Sequence, residues 1–125
     1  MEIQEYIIIA LKLIVGLSIL NVWLIQPNKS SKWRGGDATT ITEEFSVYGL
    51  SKTFYYIVFA VKVGLAILLL VSIKYDIFSL YSSIGLAALL GGSIAMHLKV
   101  KDALFKSFPA FLFMVMNLII AYLAV

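Results

Sequence analysis

Residues 54–96 read FYYIVFAVKVGLAILLLVSI-KYD-IFSLYSSIGLAALLGGSIAM. Two apolar runs, 54–73 and 77–96, flank a short polar break made of Lys74, Tyr75 and Asp76. A hydrocarbon core about 30 Å thick requires roughly 20 apolar residues in a helix rising about 1.5 Å per residue. Each run has that length, and the break leaves room only for a tight turn. The pair is expected to be an antiparallel helical hairpin across a bilayer.

The same pattern recurs on both sides. Residues 7–25 and 108–125 form two further runs of spanning length, and residues 26–53 form the longest polar segment. The expected fold class is all-α: a polytopic membrane protein, a four-transmembrane-helix bundle with a short amphipathic interfacial helix in the first loop. One transmembrane domain is expected over residues 1–125. Composition agrees. The chain is 62% hydrophobic and 14% charged, against about 45–50% and about 25% for soluble domains. The excess is surface meant for lipid. With no cysteine, thiol–disulfide exchange, thiolate metal sites and iron–sulfur ligation are excluded for this chain alone. The start, MEIQEY, is acidic, and no small-residue cleavage pattern precedes Gln26, so the first run is expected to be a retained span.

The first run ends at Gln26-Pro27, because proline pushes the preceding residue away from helix. In the polar segment, Thr40 or Thr42 suits a helix N-cap, and Glu43 and Glu44 suit its first turn. Ile41, Phe45 and Tyr48 fall at helical spacing, and Gly49 suits the C-terminal end. A short amphipathic helix is therefore expected over 42–48, lying at the interface. Trp33, Tyr48, Tyr55 and Tyr56 are interfacial anchors by type. In the third run, Ser83, Ala87, Gly91 and Ala95 recur every fourth residue, with Ala88 and Gly92 beside them. Small side chains let helices approach closely in lipid, so this stripe is expected to pack. Pro109 sits where a helix start tolerates it.

The formal charge is +3, and its distribution predicts orientation. Lys29, Lys32, Arg34, Lys52, Lys99, Lys101 and Lys106 fall on one face, and only Lys74 on the face of the termini. Cytoplasmic loops carry the excess of Lys and Arg. Both termini are expected outside and both long loops in the cytoplasm, in a bacterial inner membrane. Nothing resembles a groove reader or stacking platform for nucleic acid. The expected partners are membrane lipids, a second copy of the chain, or another membrane protein.

Lys12 and Lys62 stand inside apolar runs. A lysine at mid-bilayer costs on the order of 2.5–3.5 kcal/mol, so it needs a partner or a role. Lys12 lies about 8 Å into its helix and is expected to snorkel outward, meeting Glu5 on nearly the same face. Lys62 is central, and snorkelling from there is poor. It is expected to face the bundle interior with Asn117, Ser18, Asn21 or Ser93 as neutral neighbours. Either it carries no charge, or it meets an anion: a lipid phosphate, a carboxylate, a reduced quinone, or Glu43 or Glu44 if the short helix dips inward. Lys62, Lys12, Asn117 and Asn21 are thus the candidate ligand-binding residues, with interhelical hydrogen bonding as the default for the asparagines. The candidates for anionic head groups are Lys29, Lys32, Arg34, His97, Lys99 and Lys101, the loop residues being solvated by default. His97, the only histidine, is expected at the solvated interface. It cannot build a metal or haem site alone, and no second ligand shows. No nucleophile–base pair, phosphate loop or paired carboxylate is found. No cofactor signature appears beyond room for a quinone or lipid, and no catalytic residue or metal ligand is assigned.

Residues 85–123, GLAALLGGSIAMHLKVKDALFKSFPAFLFMVMNLIIAYL, resemble the matching part of the DoxX-like family of small four-span membrane proteins. The resemblance lies in the Gly/Ala-rich helix, the basic turn, and the start of the last helix at Phe105, Lys106, Phe108 and Pro109. Residues 26–50, QPNKSSKWRGGDATTITEEFSVYGL, resemble a subgroup with a Trp-Arg-Gly-Gly loop and an acidic helix before the second span. The resemblance implies a four-helix membrane bundle. It also implies a link to redox complexes, since the family is named for a subunit associated with thiosulfate:quinone oxidation. Many members carry an acidic residue in span two, where this chain has Lys62, so no catalytic role transfers. The expected function is a non-enzymatic accessory or structural subunit of a membrane complex, with the redox link that the resemblance implies. The alternative is a lipid- or quinone-binding bundle with the ligand's polar end near Lys62.

Overall fold

The computed structural model describes residues 3–25, 36, 38, 40–102 and 104–124, with backbone alone for Thr42 and Leu104. Five α-helices appear among them: α1 (Ile3–Leu20), α2 (Ile41–Val47), α3 (Lys52–Val71), α4 (Ser79–Lys99) and α5 (Phe108–Ala124). A π-helical turn, Asn21–Ile25, prolongs α1, and short 3-10 turns, Asp76–Phe78 and Leu104–Ser107, lead into α4 and α5. With these extensions four helices are long and apolar enough to cross a membrane: Ile3–Ile25, Lys52–Val71, Asp76–Lys99 and Phe105–Ala124.

The spanning helices close a ring, α1 against α3, α3 against α4, α4 against α5, and α5 back against α1. The α4–α5 pairing is the most extensive. The burial pattern suits an apolar solvent. In α1 the inward stripe is Lys12, Val15, Gly16 and Ile19, at helical spacing. In α3 it is Lys62, Ala66 and Leu69. Ser79, Ser82, Ser83, Leu86, Ala87 and Leu90 line the inside of α4. Large apolar side chains such as Ile14, Leu17, Ile57, Ile84, Phe111 and Leu118 face outward instead. Lipid tails are as apolar as leucine, so the interior is left to small and polar groups that gain from close packing and hydrogen bonds. Ser82 and Ser83 satisfy their hydroxyls on the Phe78 and Ser79 carbonyls.

Two glycines set the helix spacing. A Cβ on Gly16 would come within 2.7 Å of Leu70, and one on Gly85 within 2.8 Å of Leu65. These fix the α1–α3 and α3–α4 approaches. The expected stripe is only partly the packing surface. Ser83 and Ala87 are buried, but Ala95 is exposed, and a Cβ on Gly91 would make only ordinary contact with Met114. The reason is rotation: α4 buries its loop-side half on the face of Leu90 and His97.

The short helix begins one residue earlier than expected. Thr40 is its N-cap, accepting from the Glu43 amide at 3.1 Å. Gly49, at φ +79°, ends it by freeing the Leu50 amide to reach the Phe45 carbonyl. Its apolar face is buried rather than laid on the interface, since Ile41, Phe45 and Tyr48 belong to the core.

Candidate functional site

Beneath α2 lies a cavity of about 550 Å³. Its walls come from the loop-facing halves of all four spans, and α2 roofs it with Ile41, Glu44, Phe45 and Tyr48. Most of its lining is apolar. The ionisable lining groups are Glu44, Tyr48, Lys62, His97 and Lys106.

Lys62 projects into this space from the tenth residue after the start of α3, about 15 Å along the helix axis. It is 8% exposed, and its Nζ stands 4.9 Å from the centre of the Trp23 ring. Among the described residues it has no hydrogen bond or ion pair. Glu44 is the charge whose field reaches it. Trp23 is held in turn by stacking on Tyr55 at 6.0 Å and by the edge of Phe45. A cation over an indole face is attracted by about 0.5–2 kcal/mol. That offsets part of the burial cost and leaves the three ammonium donors for another acceptor.

At the loop end of the cavity a polar chain crosses from α4 to α2. His97 Nδ1 is 2.8 Å from Asp102 Oδ2. The Tyr48 hydroxyl donates to Glu44 Oε1 at 2.6 Å and lies 3.4 Å from His97 Nε2. Asp102 also accepts from the Gly36 amide at 3.0 Å and faces Lys106 at 3.6 Å. Lys106 donates to the Gly36 carbonyl, and Lys99 to the Tyr48 carbonyl. Burial pushes the Asp102 carboxyl up. The His97 and Gly36 hydrogen bonds and the Lys106 charge outweigh it, holding the group below its ordinary 3.8.

The candidate residues separate. Lys62 alone of the four ligand-binding candidates lines the cavity. Lys12 is 1% exposed and does not meet Glu5. It reaches toward the terminal face but donates to the Ser72 carbonyl at 3.0 Å and to Ser79 Oγ at 2.7 Å, with Asp76 at 3.8 Å. The hairpin turn offers oxygens nearer than bulk water does. Asn117 is fully buried, donating to the Phe113 carbonyl, with its Oδ1 unpaired among the described residues. Asn21 opens the π-helical turn and is half-buried. His97 is 4% exposed, inside the protein rather than in solvent, because the turn after α4 folds Asp102 back over it. In that turn Lys101 takes a left-handed φ of 58° and is exposed. Lys29, Lys32 and Arg34 lie outside the described residues, as does the expected anchor Trp33. Sequence reasoning missed Trp23, Tyr48, Asp102 and Lys106 as site residues. The signal lay in Glu44 and Tyr48, four apart on one helical face, and in Asp102 five residues after the only histidine.

A four-span membrane helix bundle, with an interior cavity roofed by a short helix, is the class of protein these features define. Within that class the chain belongs to the DoxX-like family, whose model matches residues 33–123. No curated protein and no solved structure matched the chain.

Proposed function

We propose that this DoxX-like protein holds a membrane-soluble amphiphile, a lipid or a quinone, in the cavity under α2. An oxygen acceptor of that molecule sits on the Lys62 ammonium. The carrying observation is that Lys62 is nine-tenths buried, lines the cavity, and has no hydrogen-bond acceptor among the described residues. A buried ammonium in a membrane is costly unless oxygen ligands reach it. The volume falls within the range of about 300–1,000 Å³ typical of small-molecule sites. Native mass spectrometry of protein extracted in mild detergent tests this. Wild type should retain a small molecule that Lys62→Met loses. Identical retained masses in the two would remove the reason for the proposal.

A second reading, an accessory subunit of a membrane complex with a redox link, draws support from Ala88, Gly92 and Ala95. All three are exposed on α4, Ala88 and Gly92 also lining the cavity, and their small side chains permit close approach of a partner helix. Recovery of the chain alone, without partner or self-association, would count against it. The charge distribution supports long loops in the cytoplasm and termini outside.

A further inference from the structure

The histidine at the cavity mouth has one close partner, on Nδ1, and one distant partner, on Nε2. An ionised carboxylate only accepts, so Asp102 fixes the proton of His97 on Nδ1. In the neutral ring that makes Nε2 an acceptor. A tyrosine hydroxyl has one proton, and the 2.6 Å contact sends that of Tyr48 to Glu44. The Tyr48 oxygen is then 3.4 Å from Nε2 and the Glu44 oxygen 3.9 Å. Both exceed the roughly 2.7–3.2 Å of a made hydrogen bond. Among the described residues the other cations nearby are engaged elsewhere, Lys106 with Gly36 and Asp102, and Lys99 with the Tyr48 carbonyl. So a ring 4% exposed and lining the cavity has, at its acceptor nitrogen, only the long 3.4 Å approach of the Tyr48 hydroxyl among the described residues.

Building on the cavity reading, we propose that the occupant is a neutral lipid-soluble alcohol or phenol whose hydroxyl donates to Nε2 of His97. Asp102 is the positioning residue that keeps the ring in the accepting tautomer, as carboxylates do for other functional histidines. Lys62 supplies the complementary donor deeper in the cavity. The site therefore selects a head group with both a donor and an acceptor. A head that ends in a bare carboxylate or phosphate offers acceptors alone and leaves Nε2 without its donor.

A matched pair of probes tests this: para-nonylphenol and its methyl ether, para-nonylanisole, which differ in the hydroxyl proton. Binding to purified protein in a neutral detergent is read from Trp23 fluorescence in a Trp33→Phe background. One neutral hydrogen bond is expected to favour the phenol by about fivefold. Asp102→Asn turns an amide donor toward Nδ1, which moves the ring proton to Nε2. It should bring the phenol down to the ether's affinity and leave the ether unchanged. His97→Gln, which keeps a side-chain acceptor, should retain part of the preference. Equal affinity of the two probes in wild type would overturn the hydroxyl assignment while leaving the cavity occupied. Failure of both to bind would defeat the cavity reading and this inference with it.

Discussion

Two lysines enter the apolar part of this protein, and their surroundings separate them. Lys12 ends on the hairpin turn, where the Ser72 carbonyl and the Ser79 hydroxyl bind its ammonium. Its nearest carboxylate, Asp76, is 3.8 Å away and 93% exposed, so water screens that attraction. The buried hydrogen bonds, not the ion pair, hold α1 to the turn. Lys12→Met is expected to cost about 1–2 kcal/mol in an unfolding titration in detergent, and Asp76→Asn far less. Equal losses for the two would show the ion pair to be the working contact. Both lysine positions were legible in the sequence, because a cation in an apolar run is conspicuous. Their directions were not. Glu5 and Ser79 compete for Lys12, and only the crossing of α1 with the turn brings Ser79 within reach.

Among the elements, α2 is the one whose limits and role were read unequally well. Thr40, the acidic first turn and Gly49 act within a few residues, so local chemistry marks its ends. What it covers depends on contacts tens of residues away. Its C-terminal end and the Gly36 turn before it are tied to the link between α4 and α5, through Lys99, Asp102 and Lys106. The folded carboxyl of Asp102 is depressed, so its contribution is fully present above the ordinary 3.8 and lost as pH falls through the folded value. In a Trp33→Phe background, Trp23 emission should hold steady from neutral pH to 3.8 and shift red only below it. A shift centred well above that value would show that another group holds α2 in place.

At the scale of the whole molecule, the ring of spans gathers the ionisable groups of the cavity on the side of the long loops. The positive charge lies there too, and with it the expected cytoplasmic face. The chain has no cysteine, so single cysteines report orientation cleanly. Lys74→Cys should react with an impermeant maleimide added outside intact cells, and Ser46→Cys only after the membrane is opened. The reverse pattern would invert the topology. By itself the sequence determined the class, the number of spans, the hairpin and the capped short helix. Each follows from hydrophobic length or from residues a few positions apart, which act before any tertiary contact exists. Only the tertiary structure decided that α2 roofs a cavity, that Trp23 faces Lys62, and that Asp102 and Tyr48 flank His97. Those meetings join segments with no local preference for one another. They are set by how closely Gly16 and Gly85 let the helices approach, and by how far each helix is rotated when they do.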